Sequence, residues 1–398
     1  MNRELPRKAP APPPGRPALI PARPQDFGYS RFALRLWHGM TLGAFLRLMR
    51  GNYTRVAPAR FGLFASVLAA SLGNSALKGL SRAIYGRRLA RVRIAPDPLF
   101  VLGHWRSGTT WLNQLLDCDD RLVSPNAMQC FSPETFLGAR FFLRPLLALI
   151  MPARRPMDNV ALTASSAEED EHAILLSGAA TPYRAVAFPC DQIDGLEACP
   201  EDMAAPQAAF WRNRWLGFLA RVQLINPGRR LMLKSPLHTL RLPEILHHFP
   251  NAKFVHITRD PYRIHLSRQK SGAAMMATQA FQAKMPDGAQ LQETQLRNFV
   301  DFHTRYDQTR SLIPPENLIT IRYEDLRADP LEVLRGVYAH LRLGDFAEIE
   351  PKLQASIDAG KDYKTNRFDL APDEEAAVWA HCRDYFDRYG YQRMSDRT

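Results

Sequence analysis

The chain has few cysteines, and they form no metal-ligand spacing. Its 398 residues contain five: Cys118, Cys130, Cys190, Cys199 and Cys382. A small, odd number of cysteines fits a reducing compartment better than a disulfide framework. We therefore expect a cytoplasmic protein that uses neither disulfide bonds nor a bound metal.

Long apolar runs are also scarce. The first residues are basic and Pro-rich and lack the apolar run of a signal peptide. Residues 61–80 are apolar on average but carry Asn74 and Lys78. Residues 141–151 are apolar but provide only about half of the roughly 20 residues that a membrane span needs. Both segments are typical of core or interfacial helices, and peripheral membrane contact stays open.

No internal repeat and no nucleic-acid-binding motif is visible, and the basic residues are spread along the chain. The formal net charge is nevertheless +12 at pH 7. Such a balance favours a polyanionic partner, such as a nucleotide, an anionic glycan or a membrane surface. Nucleic acid is not expected among the partners, and the oligomeric state is left open.

Composition divides the chain into three parts. Residues 1–26 contain eight prolines among small and basic residues, a composition that predicts a disordered tail. In residues 27–97 apolar residues recur at helical spacing, which predicts an extension of two or three helices packed on the rest. Residues 98–398 form the third part, a single larger domain.

Short apolar runs alternate with helical patterns from residue 98 onward. The runs begin at Pro98, Arg230, Ala252 and Asn317. Helical patterns lie between them, including residues 206–222 and 241–248. Buried strands that alternate with helices predict an α/β fold of three layers, with a central parallel sheet covered on both faces.

The first run leads into a glycine-rich loop, Gly103-His-Trp-Arg-Ser-Gly-Thr-Thr110. The loop lies between a strand and a helix start, where backbone N–H groups and the helix dipole favour a bound anion. In a nucleoside triphosphate loop a lysine follows the second glycine. Here Thr109 follows Gly108, so the loop suits a ligand with one short anionic group, contacted by Arg106.

Arg-Ser-Gly-Thr-Thr after a strand resembles the 5′-phosphosulfate loop of sulfotransferases that use 3′-phosphoadenosine 5′-phosphosulfate (PAPS). The resemblance implies a P-loop-like fold and metal-independent transfer of a sulfuryl group, by in-line displacement, to a hydroxyl or amine of an acceptor. It also implies that the loop residues bind the donor: Arg106, Ser107, Gly108, Thr109 and Thr110.

A second match follows the run that begins at Ala252. Arg259 and Ser267 are eight residues apart, as are the arginine and serine that grip the 3′-phosphate in that family. A guanidinium fork suits a dianionic phosphate. The alternative is a structural ion pair between Arg259 and Asp260.

Lys234 precedes Arg259 by 25 residues, similar to the family's catalytic lysine, and would contact the transferring group. The family's histidine position holds Pro236, and His238 follows two residues later. The general base is therefore left open between His238 and the acidic run at residues 168–171, through Glu169 or Glu171. Four acids in a row can equally serve a helix start.

Two further expectations concern substrate binding. The basic loop at residues 361–367 resembles loops that cover the 3′-phosphate or the acceptor cleft, with Lys364 as the candidate donor-binding residue. The acceptor site is expected between the helix after the glycine-rich loop and residues 124–156. The acceptor itself is a small molecule, a glycan or a lipid.

The sequence leaves two alternative functions open. A P-loop kinase or nucleoside triphosphatase is disfavoured by Thr109 and does not need the Arg259 and Ser267 pair. A non-catalytic nucleotide-binding protein is disfavoured by the presence of Lys234 and an available base.

Overall fold

A computed structural model describes residues 19–30, 33–139, 163–191, 197–359 and 370–396. The strands in chain order are β1 (Leu19–Pro21), β2 (Leu99–Leu102), β3 (Leu122–Val123), β4 (Arg230–Lys234), β5 (Lys253–Thr258), β6 (Lys284–Pro286) and β7 (Leu318–Arg322). Five of them form a parallel sheet in the order β3-β4-β2-β5-β7. The other two, β1 and β6, form an antiparallel pair.

The α-helices of the described residues are numbered in the same way. They are α1 (Leu42–Met49), α2 (Phe61–Leu89), α3 (Thr109–Leu116), α4 (Ala127–Phe131), α5 (Asp170–Leu176), α6 (Ala205–Ile225), α7 (Leu242–His248), α8 (Pro261–Gln279), α9 (Gly288–Thr309), α10 (Tyr323–Ala328), α11 (Pro330–Leu341), α12 (Glu350–Ala359) and α13 (Pro372–Tyr389).

The two faces of β2 are buried in two different cores. Phe100 and Leu102 belong to a cluster with Trp211 and Trp215 of α6. The alternate residues of β2 pack with α3 and α11 in a second cluster, where Leu116 is a member. Alternate side chains of a strand point to opposite faces of its sheet, so this sheet lies between two helical layers. The predicted three-layer α/β fold is confirmed.

The four predicted strands correspond to β2, β4, β5 and β7, and the two predicted helices correspond to α6 and α7. Strand β3 was missed because it is two residues long, too short for an alternation of apolar and polar residues to be visible. Its partner β4 positions it through the pairing of Leu122 with Arg230 and of Val123 with Leu231.

The N-terminal part packs on the large domain rather than standing apart. Residues Trp37, Phe45 and Val67 share a cluster with Leu176 of α5 and with Phe281, which lies just after α8. The predicted helices of residues 27–97 are α1 and α2, joined by short 3-10 turns.

The predicted disordered tail requires a correction at its end. Leu19 pairs with Pro286 and Pro21 with Lys284, so residues 19–26 are part of the described fold. Composition missed this because a short edge strand is held by backbone hydrogen bonds and needs no apolar pattern of its own. Residues 1–18 lie outside the described residues.

Replacing Phe100 by alanine tests whether the aromatic layer between β2 and α6 stabilises the fold. Its ring is fully buried and lies 5.5 Å from the Phe254 ring and 6.5 Å from the Trp215 ring. We expect Phe100→Ala to lower the free energy of unfolding by about 3–5 kcal/mol, measured by urea denaturation. The control, exposed Leu312→Ala, should change it by less than about 0.5 kcal/mol.

Candidate active site

The candidate site lies at the carboxyl edge of the parallel sheet, where ligands bind in open α/β folds. Register brings three strand ends together there. Val101 of β2 pairs with Lys234, the last residue of β4, and Leu102 pairs with His256 of β5. The glycine-rich loop after β2 is therefore flanked by Lys234 on one side and by Arg259, which follows β5, on the other.

Two glycines in the loop are required by close contacts. Gly108 has a φ of 103°, and a Cβ there would lie 2.3 Å from Cδ2 of Tyr323. Gly103 has a φ of 146°, and a Cβ there would lie 2.8 Å from the Ile257 carbonyl oxygen. Side chains are excluded at both positions, so the loop backbone lies directly against β5 and α10.

Between these glycines, Arg106 adopts a φ of 69°. A left-handed backbone is uncommon for a residue other than glycine and marks a position worth a functional test. The Ser107 hydroxyl donates to the His104 carbonyl oxygen at 2.8 Å and closes the turn. Thr109 and Thr110 begin α3, with Thr109 buried and Thr110 half-buried.

The side chains assigned to the two donor phosphates meet. Arg106 Nε donates to Ser267 Oγ at 2.7 Å, and Arg259 Nη1 donates to the Arg106 carbonyl oxygen at 2.9 Å. The Asp260 carboxylate accepts the Tyr262 N–H at 2.9 Å and caps α8. Asp260 therefore serves the helix start, and the Arg259 guanidinium is directed at the loop.

A third cation, Arg268, lies in the same region. Its guanidinium carbon is 4.2 Å from the centroid of the Trp105 ring. Burial lowers its pKa to about 10, so it remains protonated at neutral pH. Arg259 lies similarly over Tyr323, at 4.1 Å. Aromatic faces support the guanidinium groups and leave their N–H edges available for anions.

Lys234 forms an ion pair with Glu169, at 3.0 Å between Nζ and Oε1. The lysine side chain is only 1% exposed. The other oxygen of Glu169 accepts the Tyr183 hydroxyl at 2.6 Å, and Trp105 Nε1 donates to that hydroxyl oxygen at 2.7 Å. A continuous hydrogen-bonded chain thus runs from the glycine-rich loop to the end of β4.

Opposing effects set the charge of Glu169. Burial, the largest single effect, would raise the pKa of its carboxyl group, but the Lys234 ammonium, His172 and the Tyr183 hydrogen bond together outweigh it, and the pKa lies below the ordinary value of 4.5. Burial and the Glu169 charge raise the pKa of Tyr183. At neutral pH Glu169 is therefore an anion and Tyr183 a neutral donor.

The structure does not support His238 as the general base. Its side chain is fully buried, and Nε2 lies 2.8 Å from Oδ1 of Asp170. Its ring packs edge-on against Phe100 at 5.2 Å. A base must reach the acceptor proton, and this imidazole is enclosed in the core. The spacing of residues in the sequence was misleading here, because it does not show on which side of the turn after β4 the His238 side chain lies.

Glu171 is also corrected from a candidate base to a structural residue. It is fully buried. Its Oε1 accepts from Arg241 Nη2 at 3.0 Å and from the Thr181 hydroxyl, and its Oε2 accepts from Arg241 Nη1 at 2.5 Å. Both carboxylate oxygens are therefore engaged. Of the two acidic candidates, only Glu169 lies in the chain that reaches the loop.

Three residues of this site had been missed: Trp105, Arg268 and Tyr183. Trp105 and Arg268 are next to the motif residues Arg106 and Ser267 in the sequence. An aromatic or basic residue next to a motif could have indicated them as site residues. Tyr183 lies in a 3-10 helix, Pro182–Ala187, with no motif around it. Lys364 and residues 140–156 of the expected acceptor segment lie outside the described residues. Within the described ranges, no cluster of three His, Cys, Asp or Glu side chains could hold a metal ion.

Comparisons with known proteins agree with this geometry. A model described as "Sulfotransferase family" matches residues 98–348. The chain is 34% identical over 366 residues to omega-hydroxy-beta-dihydromenaquinone-9 sulfotransferase Stf3 of Mycobacterium bovis, covering 92% of this chain and 93% of that protein. The Mycobacterium tuberculosis protein of the same name gives the same values.

Two solved structures share the fold. Sulfotransferase STF9 from Mycobacterium avium has a TM-score of 0.63 at 19% identity, covering 92% of this chain and 95% of that one. Sulfotransferase STF1 from M. tuberculosis has a TM-score of 0.54 at 20% identity, covering 79% of this chain and 85% of that one.

A parallel α/β sheet with a glycine-rich loop at its carboxyl edge defines a P-loop-like fold, and the family defines the activity. The chain belongs to the sulfotransferase family. It is a transferase whose co-substrate is PAPS, which confirms the class of enzyme expected from the loop motif.

Replacing Gly108 by alanine tests whether the loop needs its close approach to Tyr323. We expect Gly108→Ala to destabilise the protein by about 1–3 kcal/mol through backbone strain and overpacking, and to weaken binding of 3′-phosphoadenosine 5′-phosphate (PAP). Urea denaturation and calorimetry measure the two effects.

Gly228→Ala is the matched control. Gly228 also has a positive φ, 78°, but nothing lies within 4 Å of a Cβ there. It should show only the strain, about 1–2 kcal/mol, with PAP binding unchanged. Equal PAP affinity in both variants would contradict the close-approach argument.

Proposed function

We propose that this sulfotransferase transfers the sulfuryl group of PAPS to a hydroxyl of a lipid-like, quinone-type acceptor, with Glu169 as the general base. In this proposal residues 98–398 form the catalytic domain and residues 27–97 an extension. The observation on which it depends is the Lys234–Glu169 pair beside the glycine-rich loop. It joins a cation and a carboxylate base at one point of the sheet edge.

Donor binding is assigned to the loop and to the start of α8. The amides of Ser107, Gly108, Thr109 and Thr110 and the Arg106 side chain would receive the 5′-phosphosulfate, since a helix start favours anions. Arg259 and Ser267 would grip the 3′-phosphate. Their contacts with Arg106 support this assignment, because residues that touch one another can also contact one nucleotide that carries both anionic groups.

The transfer step follows the chemistry of phosphoryl transfer. The acceptor oxygen forms a bond to sulfur while the bond from sulfur to the 5′-phosphate oxygen breaks, and PAP leaves with the electron pair. Lys234 and Arg106 would stabilise the charge that grows on the leaving oxygen. Glu169, an anion at neutral pH, would accept the proton of the acceptor hydroxyl.

The acceptor class is supported by the relative that acts on omega-hydroxy-beta-dihydromenaquinone-9, because identity extends over 92% of this chain. A quinone of that kind is lipid-like, and an enzyme that uses it would work at a membrane surface. The proposal therefore includes a cytoplasmic location with peripheral membrane contact.

The donor assignment predicts a binding pattern for PAP, the desulfated product. Calorimetry should show tight binding to the wild type and a loss of at least about 100-fold in Arg259→Ala, since a buried charge-assisted contact to phosphate is removed. ATP should bind much more weakly, because it lacks the 3′-phosphate.

Arg263→Ala, an exposed position on α8, is the matched control and should bind PAP like the wild type. Absence of PAP binding by folded wild-type protein would overturn the donor site. Tight PAP binding without turnover of any hydroxylated lipid quinone would instead favour the non-catalytic alternative.

The base assignment predicts a pH profile. Because the pKa of Glu169 lies below 4.5, kcat/KM should decrease on acidification only below that pH. A histidine base would instead make kcat/KM decrease at about pH 6.5. The stability contributed by the ionised Glu169 is present above the unfolded-state pKa and is lost as the pH falls through the lowered folded-state pKa. Glu169→Gln should reduce kcat by about 10²- to 10⁴-fold.

His238→Gln separates structure from catalysis. It disturbs the contact to Asp170, so unfolding should become easier, while kcat of the folded fraction and the position of the acidic limb stay unchanged. A limb that moves in His238→Gln and not in Glu169→Gln would assign the base to the histidine.

A further inference from the structure

The net charge of the chain is concentrated in the N-terminal helical extension. Residues 27–96 contain twelve lysines and arginines and no aspartate or glutamate. The remaining residues balance, because residues 1–26 carry three excess basic residues and residues 97–398 carry three excess acidic ones. The whole formal charge of +12 therefore belongs to the part of the chain that contains α1 and α2.

Helix α2 exposes an uncharged apolar stripe on its outer side. Phe61, Leu72, Leu80 and Ile84 are each between 53% and 58% exposed. Exposed alanines at positions 65, 69 and 76 fill the intervals, so the stripe advances in steps of three or four residues. At 1.5 Å per residue its length is about 35 Å. An apolar patch this long on a protein surface marks an interaction site.

The opposite side of α2 is attached to the protein along its length. Asn74 Nδ2 donates to the carbonyl oxygens of His38 and Met40, at 2.7 and 2.9 Å. Lys78 pairs with Glu134 at 2.8 Å. Residues Pro58–Leu89 are long and apolar enough to cross a membrane by composition. With these polar contacts the helix lies flat on the domain instead.

Exposed arginines border the stripe at its C-terminal end. They are Arg82, Arg87, Arg88, Arg91 and Arg93. An apolar face with a basic border is the pattern of helices that lie in the headgroup region of an anionic bilayer. A second copy of this chain fits less well, because two faces with the same concentrated positive charge would repel each other.

We infer that α2 docks the enzyme onto the surface of an anionic lipid bilayer, with the stripe inserted among the acyl chains and the arginines on the lipid phosphates. The inference deepens the proposed function and rests on it in one respect, because docking serves to bring the enzyme to a lipid acceptor. Docking itself does not require the acceptor to be a lipid. The inference names the membrane-binding surface and the lipid charge that it recognises.

The attachment of α2 also orients the active site. Lys78 binds Glu134, and Ser81 lies against Gly138, where a Cβ would be 2.4 Å from its hydroxyl oxygen. Both contacts join α2 to the segment expected to border the acceptor site. That segment contains α4, which packs on α5, and Glu169 is the residue that immediately precedes α5. A docked α2 therefore places the acceptor side of the enzyme next to the bilayer.

Vesicle flotation tests the proposal with the full chain. Vesicles of phosphatidylcholine alone are compared with vesicles made of equal amounts of phosphatidylcholine and phosphatidylglycerol. We expect binding only to the anionic vesicles, weakened by salt. Leu72→Glu with Leu80→Glu should reduce binding at least about tenfold, since charges enter the acyl region. Arg87→Gln and Arg88→Gln should each reduce it about fivefold.

Leu312→Glu is the control, because Leu312 is 55% exposed but lies outside α2; it should float like the wild type. PAP binding, measured in every variant, should not change. Failure of the wild type to bind anionic vesicles, or equal binding by the double variant, would overturn the inference. So would a dimer in sedimentation that Leu80→Glu dissociates, which would assign the stripe to a second copy. Absence of PAP binding by the wild type would contradict the proposed donor site and would leave the docking inference unaffected.

Discussion

The structure depends on how four consecutive buried or nearly buried acids are neutralised. Each finds a different partner: Glu168 lies beside His172, Glu169 binds Lys234, Asp170 binds His238, and Glu171 binds Arg241. Buried charges are tolerated only when they are paired. Three of these pairs connect the start of α5 with β4 and the turn after it, so the acidic run holds the helix against the sheet edge. Only Glu169 keeps a connection to the glycine-rich loop.

The same edge collects cations on its other side. Arg106, Arg259 and Arg268 lie near one another, and two of them lie over aromatic rings. Holding like charges together costs free energy that a bound dianion recovers. Three neighbouring guanidinium groups suit an anionic ligand, which agrees with membership of the sulfotransferase family.

The N-terminal extension shows a second separation of charge. Its protein-facing side combines apolar packing, with Val67 in the same core cluster as Phe45, and polar contacts of Asn74 and Lys78 to the domain, while its exposed side is apolar. An ordinary surface helix has one apolar stripe, which faces the core, whereas α2 has a second apolar stripe at the surface. The two apolar sides explain why composition suggested a core or interfacial helix: α2 packs on the domain and also leaves apolar residues at the surface.

Much of the fold followed from local pattern, because apolar runs alternating with helical periodicity are properties of neighbouring residues. The strands β2, β4, β5 and β7, the anion loop and the Arg259 and Ser267 spacing were all visible in this way. The choice of base was not. The sequence does not distinguish among the candidate bases Glu169, Glu171 and His238. Packing buries Glu171 and His238 and places Glu169 between Lys234 and Tyr183. Local order determined the class of enzyme, whereas burial and hydrogen bonding between residues far apart in the chain decided which carboxylate is connected to the glycine-rich loop.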